Sequence, residues 1–187
     1  LKSTDLFNQI KEFSSKGGVT FGICGGMQIM GETLEDPFSI ESQSNENTKV
    51  IIEGMSLLPI HTLFDRNKKL VQREIKSKWP VNSILRGYEL HHGKSNFIEK
   101  KESLLIPIFE DEEIGWALND NTIAGSYLHG IFDNGMWRRS WINIIRERKG
   151  LSSLTLTSKH HSDDLDKVLN TLANSLEENI NLDPLFK

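Results

Sequence analysis

The only cysteine in the chain, Cys24, stands in Gly22-Ile23-Cys24-Gly25-Gly26, directly after the apolar run Val19-Thr20-Phe21. A Gly-x-Cys-x-Gly pattern between an apolar strand and a helix start reads as a nucleophile elbow, a tight turn that lifts a thiol out at the tip of a sheet. Glycines two residues to either side suit it, because a side chain there would collide with the turn or crowd an incoming substrate. Met27-Gln28-Ile29-Met30 then read as the first turns of a helix expected from Gly25 to about Leu34. Cys24 would cap that helix, where the dipole favours thiolate. The plainer alternative is a buried structural cysteine.

A thiol nucleophile needs a base, commonly histidine, and elbow enzymes place it later in the chain. Of the six histidines, His129 is the best candidate. It ends the apolar run Ile123-Ala124-Gly125-Ser126-Tyr127-Leu128, and Gly130 after it lets backbone approach a ligand. Its plainer reading is a hydrogen-bonded histidine at a strand end. His91 and His92 are adjacent, so on a strand at most one faces a given site. His61 lies in a loop-like stretch, and His160-His161 in a polar lead-in; these read as solvated. Adjacent histidine pairs lack the i, i+4 or Cys-x-x-Cys spacing that aims two ligands at one ion, so no metal is expected. Gly26-x-x-x-x-Gly31-Glu32-Thr33 nearly matches a phosphate loop, but Glu32 replaces the lysine such a loop needs. The elbow explains those glycines better.

Several elements must position these groups. Leu6, Ile10 and Phe13 recur at helical spacing within Asp5–Lys16, and Gly17-Gly18 stops that helix before a strand at Val19–Ile23. Glu41–Lys49 reads as a polar loop. Between Val50 and Ala124 the texture is that of antiparallel strands and hairpins, at Lys69–Lys76, Ile84–Leu90, Leu104–Phe109 and Ile114–Leu118. Met136–Lys149 sets Trp137, Trp141, Ile144 and Ile145 on one helical face, ended by Gly150. The last segment carries an amphipathic helix with Leu165, Val168, Leu169, Leu172 and Leu176, opened by the acidic Asp163-Asp164.

With 187 residues the chain can build one well-cored domain. A net charge of −4 argues against nucleic acid as a partner. No apolar run approaches the roughly 20 residues that span a bilayer. A lone cysteine and the absence of a secretory signal suit a cytoplasmic protein. The chain begins without methionine, which suggests that it is cut from something longer.

Gly22 to Gly31 resembles the nucleophile segment of class I, triad-type glutamine amidotransferase domains. Gly54-Met55-Ser56-Leu57-Leu58-Pro59, Gly87-Tyr88-Glu89-Leu90-His91-His92-Gly93, Gly115-Trp116-Ala117 and Tyr127-Leu128-His129-Gly130-Ile131-Phe132-Asp133-Asn134 sharpen it. In this order they resemble the C-terminal glutaminase domain of the cobyric acid synthase family of cobalamin biosynthesis. The likeness covers roughly Gly17 to Leu151. It implies a flavodoxin-like α/β fold: a mixed, mostly parallel sheet with helices on both faces, an antiparallel extension, and its first strands missing. Residues 1–151 would form the amidotransferase domain, and 152–187 a C-terminal helix packing on it. Cys24 would attack the glutamine amide with His129 as base, the Gly25 N–H as oxyanion donor and Gln28 as a glutamine-binding residue. An early polar helix residue is the plainer reading of Gln28. Glu89, Tyr88 and His91 are candidates for support.

The resemblance also implies partners. An N-terminal ATP-dependent synthetase domain, fused or separate, would carry the corrinoid together with ATP and Mg, and this chain would bind no cofactor itself. Triad enzymes have a glutamate two residues after the histidine, where Ile131 stands; the family shares this feature, which leaves the orienting carboxylate unassigned. His92 replaces a frequent methionine and Met27 a frequent tyrosine. Alternatives are the glutaminase domain of a related amidotransferase (cobyrinate a,c-diamide synthesis or cell-wall amidation) and a silent interaction module of the same fold.

Overall fold

Two overlapping helical stripes compete in the first helix of the computed structural model, α1 (Leu6–Ser15), and the tertiary structure chooses between them. The structure describes residues 5–41, 50–99, 101–156 and 161–180, the last segment by backbone alone at 161–164. Leu6 and Phe13, on the expected face, are exposed, while Phe7 and Ser14 are buried with Ile10 packed beside them. Gly17 and Gly18 turn the chain by donating to the Ser14 and Phe13 carbonyls. The strand that follows therefore runs back along the Ser14 side, where Ser14 Oγ meets Thr20 Oγ1 at 3.0 Å.

That strand, β1 (Thr20–Ile23), pairs in parallel with β8 (Ile123–Ser126). β8 pairs antiparallel with β7 (Gly115–Leu118), and β7 with β6 (Leu105–Pro107), giving the order β1-β8-β7-β6. A second sheet is ordered β3 (Val50–Glu53), β2 (Thr33–Asp36), β4 (Ile60–Ser77), β5 (Ser83–Phe97), β9 (Leu128–His129). Here only β2 and β4 run parallel. The fold is α/β with mixed sheets, as expected. Among the described residues, however, antiparallel pairings outnumber parallel ones, because the expected hairpin region extends into the long β4–β5 ribbon.

Helix α2 (Gly25–Met30) ends sooner than the expected Leu34. The Glu32 N–H donates to the Ile60 carbonyl at 2.8 Å, so the start of β4 captures the chain and Thr33–Asp36 becomes strand. His61, expected in a loop, lies in β4. Of the expected loop Glu41–Lys49 all but Glu41 is outside the described residues, as is His160.

The run Ile123 to His129, expected as one strand, is split at Tyr127. Its N–H donates to the Ile114 carbonyl at 2.7 Å, and the Leu128 N–H turns to Ser126 Oγ at 2.8 Å. The chain thereby leaves the first sheet and enters the second at β9. Helix α3 (Gly135–Arg148) closes the core. Phe21, Phe132, Trp137 and Trp141 meet edge to face with centroids 5.1–6.1 Å apart, and Trp137 Nε1 donates to the Trp79 carbonyl at 2.9 Å. Such pairs add about 0.5–1.5 kcal/mol each beyond area burial, and these brace β1 and hence the elbow. Helix α4 (His161–Asn179) exposes Leu165, Val168, Leu169, Leu172 and Leu176, the residues expected to pack on the same domain. None of the described helices is long and apolar enough to cross a membrane.

Candidate functional site

Cys24 joins β1 to α2 with φ 52° and ψ −115°, a backbone region that side-chain-bearing residues rarely occupy. Such strain persists only where the surroundings over-determine it. Here the Cys24 N–H donates to the Ser126 carbonyl at 2.8 Å, and its carbonyl accepts from the Gln28 N–H at 3.1 Å. Gly22 is sterically required, since a Cβ there would lie 2.6 Å from Gly26 C and Met27 N. Gly26 is not: a Cβ on it meets nothing within 4 Å, so of the two reasons for elbow glycines only room for a ligand fits there.

Cys24 lines a cavity of about 370 Å³ with Gly25, Gln28, Glu41, Lys68 and His91 among its walls. Its thiol donates to the Leu90 carbonyl at 3.3 Å. Burial pushes the thiol pKa up, a Gly25 N–H bond pulls it down, and the Glu41 carboxylate raises it again. The net shift is upward, the reverse of the expected thiolate; desolvation outweighs the dipole of a helix only 6 residues long. Cys24 therefore rests as a thiol.

Gln28 is buried, with Nε2 donating to the His92 carbonyl at 3.0 Å and to the Tyr127 hydroxyl at 3.3 Å. That hydroxyl also meets Ser95 Oγ at 2.7 Å. Tyr127 stacks on His91 with centroids 3.7 Å apart. His91 in turn has both ring nitrogens engaged, Nδ1 with the Gly93 carbonyl at 3.0 Å and Nε2 with Glu89 at 3.1 Å. Glu89, 1% exposed, also receives Lys69 at 2.8 Å and Arg73. Burial raises its pKa, but His91, Lys69 and Arg73 together hold it at about 2.

His129 lies outside the lining of the Cys24 cavity, beside the same strand. It pairs with Tyr88 across β5 and β9, and the two rings stack at 4.9 Å with planes 5° apart. Its Nε2 is buried without a hydrogen-bond partner among the described residues. Cys24 and His129 are tied to one short frame: Cys24 to Ser126 and Leu90, His129 three residues past Ser126 and opposite Tyr88. Side chains alternate along a strand, so Glu89 faces away from His129 and toward His91. Glu89 thus supports His91, and His129 receives no carboxylate from it.

Sequence reasoning passed over Lys68, Glu41, Lys69 and Arg73, and the role of Asn134. Lys69 and Arg73 flank Val71, the residue opposite Glu89, so alternating strand positions carried the signal once the register was known. Asn134 clamps the turn after His129 by accepting from Arg86 N at 2.9 Å and donating to the Arg86 and Gly130 carbonyls at 3.0 Å. Among the described residues no cluster of three or more histidine, cysteine or acidic side chains could hold a metal.

Residues 1–137 match the profile of the CobB/CobQ-like glutamine amidotransferase domain. The chain is 47% identical over 190 residues to a cobyric acid synthase of Prochlorococcus marinus, covering 100% of this chain and 38% of that protein. It is 38% identical over 191 residues to a cobyric acid synthase of Rippkaea orientalis, with the same coverage. The chain thus spans 38% of the length of these relatives. A solved structure, that of PurLQS from Thermotoga maritima, aligns at TM-score 0.49 and 14% identity, covering 75% of this chain and 68% of its own. With a profile match over most of its length and such relatives, the chain belongs to the CobB/CobQ-like glutamine amidotransferase domain family.

Proposed function

We propose that this chain is the glutaminase part of a cobyric acid synthase and releases ammonia from glutamine through Cys24 and His129. The observation that carries the reading is Cys24 itself, held in a strained elbow at the wall of a cavity lined by Gly25 and Gln28. Cys24 Sγ attacks the side-chain amide carbon while His129 Nε2 takes the thiol proton. The proton then goes to the departing nitrogen, which leaves as ammonia, and water hydrolyses the γ-glutamyl thioester to glutamate.

Of the two histidines lining the Cys24 cavity, His91 has both ring nitrogens occupied and His92 turns its Nδ1 to the Asp65 carbonyl. His129, three residues past the Ser126 carbonyl that holds Cys24, has a free Nε2, which favours His129 as base. The N–H of Gly25, the residue after the nucleophile, serves as an oxyanion donor, a role worth about 10²–10³ in rate. Lys68 and Glu41, of opposite sign on the cavity wall, complement the α-carboxylate and α-ammonium of glutamine. Ammonia then serves amidation of corrinoid carboxylates on a synthetase part that carries ATP and magnesium. That assignment rests on the relatives' name, and a cytoplasmic location fits it.

The test is glutamate release from glutamine and, in the intact protein, amidation with glutamine or free ammonia as nitrogen source. Cys24→Ala is expected to abolish glutamine use and to spare ammonia. Retention of glutamine-dependent activity by that variant would overturn the reading.

A further inference from the structure

A base must be held in one orientation, and triad enzymes use a carboxylate for this. His129 has no such partner: no described side chain hydrogen-bonds to it, and Glu89 is committed to His91, Lys69 and Arg73 on the opposite face of β5. What it does have is a ring. Tyr88 and His129 are directly opposed in register, and their planes lie 5° from parallel at 4.9 Å. Tyr88 is 43% exposed, so its ring covers His129 from the solvent side without belonging to the core.

The backbone fixes both partners of this stack. Gly87, just before Tyr88, lets β9 approach so closely that a Cβ there would lie 2.2 Å from the His129 carbonyl oxygen. Asn134 pins the following turn to Arg86, one residue earlier on β5. With the strands clamped on both sides, rotation of the imidazole about its side-chain torsions is the freedom left, and the Tyr88 face restrains that rotation.

We propose that Tyr88 is the positioning residue for His129, its aromatic face replacing the orienting carboxylate of a triad. The role needs a flat ring and does not need the hydroxyl. This inference rests on His129 being the base.

The experiment measures inactivation of the chain by a glutamine chloroketone, which alkylates the nucleophile, following kinact and KI separately, with mass mapping of the modified residue. Tyr88→Phe keeps the ring and is expected to stay within about twofold of wild type. Tyr88→Ile keeps strand propensity but loses the ring; kinact is expected to fall about 10- to 100-fold, in line with a displaced catalytic group, with KI changed less than about threefold. Tyr88→Leu serves in its place if circular dichroism shows the isoleucine variant unfolded. Equal kinact for the ring-free and wild-type chains overturns the proposal, as does an equal loss in Tyr88→Phe. Rapid labelling of Cys24 in wild type with no effect of His129→Asn removes the base and the positioning role together. Absence of labelling at Cys24 in wild type overturns the site reading itself.

Discussion

Glu89 Oε2 lies 3.1 Å from His91 Nε2, and the same carboxyl group takes Lys69 and Arg73 from the neighbouring strand. Three donors on one buried carboxylate fix it behind His91, which lines the Cys24 cavity. His91 is thereby locked between Glu89 and the Gly93 carbonyl, with Tyr127 against its face.

That network sets an acid dependence of stability. In the fold the Glu89 carboxyl titrates at about 2 against an ordinary 4.5. Between these values the unfolded chain binds more protons, so the Glu89 contribution is present above about pH 4.5 and is lost as pH falls toward 2. Urea unfolding midpoints across this range are expected to fall with pH in wild type and less steeply in Glu89→Gln. At neutral pH Glu89→Gln is expected to lose about 3 kcal/mol, because Lys69 keeps its charge without that counterion and Arg73 keeps only Asp111, 3.6 Å away.

Cys24 reactivity should follow its raised pKa. Burial is the larger cause and Glu41 adds to it. Alkylation by iodoacetamide, an uncharged reagent, is expected to rise with pH around a midpoint above that of an ordinary thiol. Glu41→Gln removes a nearby negative charge and shifts the midpoint downward. A rate profile unchanged by that substitution contradicts the electrostatic role of Glu41.

Gly87→Ala tests the placement of His129 from the backbone. The added methyl carbon would stand 2.2 Å from the His129 carbonyl oxygen, so β9 must move. Glutamate release is expected to drop about 100-fold, the effect of an ångström-scale displacement of a catalytic group. Far-ultraviolet circular dichroism is expected to remain close to wild type, since the parallel pairing of β1 with β8 lies in the other sheet.

Trp137→Ala tests the brace beneath the elbow. Trp137 is fully buried, touches Phe21 and Phe132 edge to face, and donates to the Trp79 carbonyl. A loss of about 3–5 kcal/mol in unfolding free energy is expected from the cavity. Trp137→Phe, which keeps a ring but loses the donor, is expected to fall between the two.

Local chemistry in the sequence determined the elbow at Cys24, the helix over Met136–Lys149 and its stop at Gly150, because each depends on neighbours a few residues away. Cys24 and His129 stood out as candidates for the same reason: a strand end before a glycine is a local signal. Long-range pairing decided the rest. Only register shows that Lys69 and Arg73 converge on Glu89 and that Glu89 turns its back on His129, since a one-residue slip exchanges the faces of a strand. Only the crossing at Tyr127 carries His129 into the second sheet, against the ring of Tyr88. Burial, which no single residue encodes, made Cys24 a resting thiol where its place at a helix start alone favoured thiolate.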